Sequence, residues 1–274
     1  MSTDGLLVLD NSCFFVFICG SPGLVEDGST DFLGLRRGRV SLLVCAVMAE
    51  IKPVAILRTP FAEKFGVPRQ SGLVMAAEGR VEFLPEFAAP EFVRGLEDFS
   101  HVWLVTGFHQ NPPWAGAATV RPPRLGGNER VGVFASRSPS RPNGLGLSLV
   151  ELRSVQPGVL IVGGVDAVDG TPVYDVKPYL PWCEAKPEAR SDWAKDAPAT
   201  RAAADVIIPA EIERTLPREV VTLVRQLLEL NLQPAYQAVG NGQVYGMAIA
   251  GWNVRWRAGS DGRIEVVEAV RLTP

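Results

Sequence analysis

The sequence predicts a mainly β protein, a small β-barrel over residues 48–182 followed by a smaller C-terminal α+β domain over 200–274, with 183–199 as a linker. Three observations predict it. Between residues 49 and 180, short apolar runs alternate with Pro and Gly turns, the punctuation of a compact barrel or sandwich. None of these runs is followed by an amphipathic helix of about 10–15 residues, so a doubly wound parallel sheet is disfavoured. After residue 200, one strongly amphipathic helix precedes three alternating segments.

In chain order, strands are expected at 54–58, 81–83, 101–108, 130–135, 147–153, 159–163 and 173–176. The segment FAAPEFVRGLEDF (87–99) reads as a short helix or turn. Residues 183–199 are rich in Ala, Pro and charge and suit a linker or covering loop. The segment 217–230 places residues 220, 221, 224, 227 and 228 on one helical face, and strands are expected at 243–250, 252–257 and 264–272. Residues 1–47 differ in character, with an apolar patch followed by a Gly/Ser/Asp stretch. They are expected to be a disordered extension, or to precede a true start at Met48.

Composition excludes several classes. Lys and Arg number 27 against 30 Asp and Glu, a net charge of −3, so no global field attracts nucleic acid and RNA binding would need locally concentrated arginine. Cys13, Cys19, Cys45 and Cys183 lack CxxC spacing and neighbouring histidines, which argues against a metal site or a disulfide framework and for a reducing cytoplasm. No apolar run reaches the roughly 18 residues of a membrane-spanning helix.

The densest chemical signal is RPPRLGGNERVGVFASRSPSRPNGLG (121–146). It sets Arg121, Arg124, Arg130, Arg137 and Arg141 against the single Glu129. Guanidinium groups on Pro- and Gly-shaped loops suit phosphate or carboxylate recognition. In DAVDGTPVYDVKPYLP (166–181), Asp-Gly-Thr-Pro makes a tight turn, and Asp166 and Asp169 are placed to accept hydrogen bonds from a ribose diol or an amino group. Read alone, Asp169-Gly170 simply closes a hairpin. His101 and His109, the only histidines, are expected on one face of an extended strand, with His109-Gln110 at its functional end.

Taken in order and spacing, EKFGVPRQSGLV, RGLEDFSHVWLVTGFHQ, TVRPPRLGG, VGVFASRSPSRPN, LGLSLVEL and DGTPVYDVKPYLP resemble the TrmO family, also called TsaA-like or YaeB-like. The tail, with QPAY (233–236) and WNVRWR (252–257), is similar to the C-terminal domain of bacterial members. That resemblance implies a homodimeric methyltransferase that binds S-adenosylmethionine on a β-barrel. Its substrate would be tRNA for threonine, methylated at N6 of the threonylcarbamoyl-adenosine beside the anticodon. By motif position the cofactor contacts would be Pro68, Arg69, Gln70, His109, Gln110, Arg137, Leu147, Asp166, Ala167, Val168 and Asp169. Arg121, Arg124, Arg141, Asn143, Asp175, Lys177 and Tyr179 lie in motifs expected to border the reaction centre or the RNA. Two departures stand out: the family's Arg-Pro-Asn-Pro reads Arg-Pro-Asn-Gly at Gly144, and its Asp-Pro-Arg-Pro-Ala-Tyr reads Asn-Leu-Gln-Pro-Ala-Tyr in the tail.

The chemistry so implied needs a base to strip a proton from an amide-like nitrogen, with Asp169, Asp175 and His109 as candidates and Tyr179 alongside. An arginine of the 121–141 region would clamp the threonine carboxylate. Arg255, Arg257 and Arg263 would add RNA backbone contacts, and no metal is expected. The rival readings are a non-catalytic nucleotide- or RNA-binding module of the same fold and a hydrolase built on His109. Against the latter, no GxSxG stands in the chain.

Overall fold

The computed structural model describes residues 50–126, 128–230 and 243–273. The 1–47 extension and the QPAY segment lie outside the described residues. In chain order the strands are β1 (Ala55–Arg58), β2 (Glu78–Phe83), β3 (His101–Gly107), β4 (Thr119–Val120), β5 (Val131–Gly132), β6 (Leu145–Gln156), β7 (Val159–Gly163), β8 (Thr171–Pro178), β9 (Val206–Ile207), β10 (Val244–Ile249), β11 (Trp252–Ala258) and β12 (Ile264–Arg271). The helices are α1 (Pro181–Glu184), α2 (Ala210–Glu213) and α3 (Arg218–Glu229).

Six strands close into a barrel in the order β1-β2-β7-β6-β3-β8, each pair antiparallel. Closure removes the exposed edges that an open sheet would leave. Alternation assigns Leu57, Val81, Val102, Leu104, Val150, Leu160, Val162 and Val173 to the interior, all buried. A six-stranded barrel is too narrow for anything but side chains, and small ones are required where strands crowd. Gly79 shows the constraint: a Cβ there would stand 2.7 Å from Val165 Cγ1 and 3.1 Å from Leu57 Cδ1.

The chain directions place three connections at one end of the barrel: 59–77 between β1 and β2, 108–144 between β3 and β6, and 164–170 between β7 and β8. The opposite end is closed by a two-residue hairpin at 157–158 and by three short 3-10 turns at Pro85–Phe87, Pro90–Val93 and Leu96–Asp98. Proline opens the first two turns and supplies the fixed φ that such turns need.

The C-terminal sheet has the order β10-β11-β12-β9, with β9 parallel to β12. Its inner face (Met247, Ile249, Val254, Trp256, Ile264, Val266) and α3 (Val220, Val221, Leu223, Val224, Leu227, Leu228) join the barrel residues in one hydrophobic cluster. Each such aliphatic side chain contributes about 1.5–3 kcal/mol over its exposed state. No helix among the described residues is long and apolar enough to cross a membrane.

The mainly β class, the closed barrel and the single long helix agree with the sequence expectation; several details do not. The strand expected at 130–135 survives only as Val131–Gly132 and then turns into a 3-10 turn with Phe134 exposed. Its partner strand stops at Val120, just before Pro122-Pro123, which have no N–H to extend the ladder. The strand expected at 101–108 ends at Gly107, and His109 sits in the following turn, so the shared face of His101 and His109 does not exist. Crowding explains the stop: a Cβ at Gly107 would lie 2.7 Å from Tyr174 Oη, and Phe108 N–H turns away to donate to Gly144 O at 2.8 Å. The two-residue β9, whose pairing partner is distant in sequence, was not anticipated.

Replacing Gly79 with alanine is expected to destabilise the protein by about 1–3 kcal/mol through overpacking, read as a lower urea midpoint with unchanged slope.

Candidate functional site

The three connections at one barrel end are fastened to each other by side chains. Asp166, in the β7–β8 connection, accepts a hydrogen bond from Ser148 Oγ on the inner face of β6 at 2.6 Å. It also accepts the backbone N–H of Ser71 from the β1–β2 connection and faces the Arg137 guanidinium of the β3–β6 connection. Arg137 in turn donates to Gln70 Oε1 at 2.5 Å. Lys64 Nζ, in the same connection as Gln70, donates to Gln110 O and to Asn111 Oδ1, both at 2.8 Å. One carboxylate and two cations therefore tie the 68–71, 109–111 and 137 segments around the 166–169 turn. Leu147, the second outward residue of β6 and the chain neighbour of Ser148, is 58% exposed.

Burial pushes the Asp166 carboxyl up from its usual 3.8, while the Ser148 hydroxyl, its own backbone, the Ser71 N–H and Arg137 pull it down without cancelling the rise. The stability consequence has a definite sign. A carboxyl raised on folding binds more protons in the native state, so its cost is absent below pH 3.8 and grows as pH rises through the folded value.

The second aspartate of the turn is differently employed. Asp169 Oδ1 accepts Thr59 N–H at 2.9 Å, Oδ2 lies 3.7 Å from Arg58 NH1, and Asp169 N–H donates to Phe61 O at 2.8 Å. Thr59 Oγ1 donates to Ala167 O at 2.9 Å, and Thr171 Oγ1 to Val168 O at 2.6 Å. The 166–169 turn is thus anchored on both sides, with Asp169 as a structural clamp. Asp175, opposite Val105 of β3, pairs with Lys177 Nζ at 2.8 Å, which raises the Lys177 ammonium through that hydrogen bond and charge, and accepts Val176 N–H at 2.9 Å. His109 is exposed, and among the described residues the hydrogen-bond partner of its ring is Thr171 Oγ1, 3.5 Å from Nδ1. Tyr179 packs edge-on against His101 and Trp103. Those two rings, with Ser71, Met75, Arg137 and Leu149, line a pocket of about 340 Å³ on the outer barrel face.

Among the arginines, Arg124 donates to Asp196 O and Arg130 to Thr119 Oγ1. The Arg141 side chain, like that of Arg121, has no hydrogen bond or ion pair among the described residues. Arg141 is only half-buried, in a turn where its carbonyl accepts Gly144 N–H at 3.1 Å. Gly144 has φ of +59°, which proline cannot adopt, so the departure from Arg-Pro-Asn-Pro goes with a different closure of this loop, beside exposed Asn143. On the C-terminal sheet, Arg255 and Arg257 are paired with Glu268 and Glu265 at 2.9 and 2.7 Å, and Arg263 lies 3.8 Å from Asp261. A phosphate there would have to displace carboxylates. Sequence reasoning missed Ser148, Ser71, Lys64 and Asn111. Asn111 Nδ2 is a buried donor without a partner among the described residues, and only its position next to Gln110 hinted at a role.

Two family models match the chain: the tRNA-methyltransferase O N-terminal domain over residues 56–185 and the TrmO C-terminal domain over 201–272. The chain belongs to the tRNA-methyltransferase O family. An Escherichia coli relative named tRNA (adenine(37)-N6)-methyltransferase is 42% identical over 228 residues, spanning 79% of this chain and 96% of that one. A Pseudomonas aeruginosa relative, whose name describes an S-adenosylmethionine-dependent methyltransferase, is 42% identical over 211 residues, 75% of this chain and 91% of that one. The crystal structure of TrmO from Pseudomonas aeruginosa superposes with a TM-score of 0.67 at 34% identity, over 81% of this chain and 97% of that chain.

Asp166→Asn, which keeps an acceptor for Ser148, is expected to raise the melting temperature at pH 7 and to leave it unchanged below pH 3.8. Thermal melts across pH check the sign.

Proposed function

We propose that this protein is a cytoplasmic, homodimeric S-adenosylmethionine-dependent methyltransferase acting on N6 of threonylcarbamoyl-adenosine beside the anticodon of tRNA for threonine. The observation that carries the reading is the convergence of the 68–71, 109–111, 137, 147 and 166–169 segments at one barrel end around the Asp166 carboxylate.

The donor set fits S-adenosylmethionine. Asp166 and Gln70 offer acceptors to hydroxyls or amines, Arg137 offers charge to a carboxylate, Leu147 an exposed apolar surface, and Asn111 Nδ2 an unused donor. Pro68, which is buried, fixes the backbone before Arg69 and Gln70. When bound, S-adenosylmethionine supplies a methyl group on a sulfonium whose displacement needs no acid. The protein's tasks are therefore to orient the target nitrogen and to remove its proton.

His109 is the base favoured by its surroundings. Both Asp169 oxygens and the Asp175 carboxylate already have partners. The Thr171 hydroxyl donates its hydrogen to Val168 O and so can only accept from His109 Nδ1–H. That tautomer leaves Nε2 with a lone pair on the exposed side of the ring, ready to take the N6 proton. Arg141, without a protein anion, is suited to hold the threonine carboxylate, and Arg121 the RNA backbone.

Mass spectrometry of nucleosides after incubation with tRNA and S-adenosylmethionine tests the reading. Methylated threonylcarbamoyl-adenosine is expected, with little product on tRNA carrying unmodified adenosine. Arg141→Ala is expected to lower kcat/KM by about tenfold or more, the worth of one charge-assisted hydrogen bond, while the affinity for S-adenosylhomocysteine stays within about twofold. Equal rates on both tRNAs would remove the carboxylate clamp. Binding of cofactor and tRNA without any methyl transfer would favour the non-catalytic module.

A further inference from the structure

The β1–β2 connection carries Pro68 to Ser71 yet contains no regular strand of its own, and much of what holds it comes from the C-terminal sheet and α3. At its start, Ala250 N–H donates to Pro60 O at 2.8 Å, and Phe61 forms a β-bridge with Ile249. Ala248 N–H donates to Glu63 Oε1 at 3.1 Å. The Phe65 ring stacks on the fully buried Trp256, centroids 5.9 Å apart and planes within 7°. Gly66, at φ +95°, lets the backbone pass so close to Met247 that a Cβ would stand 3.4 Å from its sulfur. At the other end of the connection, Ala76 N–H donates to Gln226 Oε1 of α3 at 2.9 Å.

Between these two sets of anchors, the barrel reaches residues 67–75 through Ser71 N–H to Asp166, Arg137 to Gln70 Oε1, Gly72 N–H to Gly164 O at 2.9 Å and Arg153 to Met75 O at 2.6 Å. All four fall at residues 70–75, and Val67 to Arg69 make no hydrogen bond to the barrel among the described residues, so the course of that part follows from where it starts. The stacking at Phe65 sets where the stretch begins, and the Ala76–Gln226 bond steadies its far end together with the Gly72 and Met75 bonds, so both bear on where Gln70 meets Arg137.

We propose that the C-terminal α+β unit positions the cofactor-binding segment, with Phe65 and Gln226 as positioning residues, so that affinity for the cofactor depends on side chains remote from it. This rests on the reading that residues 68–71 contact S-adenosylmethionine. It gives the C-terminal unit a task separate from RNA contact, and it makes any ligand held on that unit's sheet able to act on the cofactor site through the shared segment.

The test uses the full chain and four variants, Phe65→Ala with its conservative control Phe65→Tyr, and Gln226→Leu with Gln226→Glu, which keeps the acceptor. Folding is checked by circular dichroism. Phe65 is 38% exposed, so its truncation leaves the core in place. Titration calorimetry with S-adenosylhomocysteine is expected to show Kd raised about fivefold or more in Phe65→Ala and Gln226→Leu, and within about twofold of the parent in the two controls. Hydrogen exchange of residues 64–74 in the free protein is expected to accelerate in the same two variants only. Unchanged exchange and unchanged Kd in those variants, while Arg137→Ala abolishes binding, would overturn the positioning role and leave the site reading intact. Parent-like binding by Arg137→Ala, or no binding by the parent, would overturn the site reading and the positioning role together.

Discussion

The arrangement depends on one half-buried carboxylate. A closed barrel of six strands has an interior filled by Val, Leu and Thr side chains, so it has no room for a ligand inside and must build a site from the loops at its rim. Loops of 19, 37 and 7 residues at one end would each be free to wander. Asp166 is the group that all three reach, through Ser71, Arg137 and its own turn, and Ser148 fastens it to the wall of the barrel. Removing water from that carboxylate costs free energy, and the hydrogen bonds and the nearby guanidinium offset part of the cost. What remains is a site with a preset negative group and a preset cation rather than one assembled on demand.

The same geometry sorts the polar residues by availability. Asp169, Asp175, Arg255 and Arg257 have ionic partners of their own, and substrate would have to compete for them. Arg141 and His109 are accessible and barely engaged, which suits groups that must meet an anionic nucleoside and move a proton. Exposed pairs such as Arg255–Glu268 are individually weak, worth about 0–1 kcal/mol, so an incoming phosphate would displace them at small cost, but they also blunt the attraction. Local free arginine on the barrel loops, rather than the sheet of the C-terminal unit, is therefore the stronger source of electrostatic pull in a chain of net charge −3.

Much of this was legible in the sequence where a period or a motif carried it. The barrel strands announced themselves by alternation between turns, and α3 by apolar residues at 220, 221, 224, 227 and 228, all of which face the core. The clustering of Gln70, Arg137 and Asp166 followed from resemblance, not from spacing, since their partners are dozens of residues apart. What sequence could not reveal is what each carboxylate touches: nothing in DAVDGTP distinguishes Asp166, turned toward Ser148, from Asp169, spent on Thr59 and Arg58. Strand ends were misplaced where a tertiary contact decides them, as at Gly107 against Tyr174. The two-residue β9 was invisible because its ladder partner is the distant β12, helped by Arg225 of α3, which donates to Val206 O at 3.0 Å.

The most direct measurement is a crystal structure of the full chain grown with S-adenosylhomocysteine. Density for the nucleoside flanked by Gln70, Arg137 and Leu147, with a polar atom in hydrogen-bond reach of Asp166, is the expected result. Ligand bound anywhere else, with the Gln70–Arg137 and Ser148–Asp166 contacts undisturbed and the rim of the barrel empty, would contradict it.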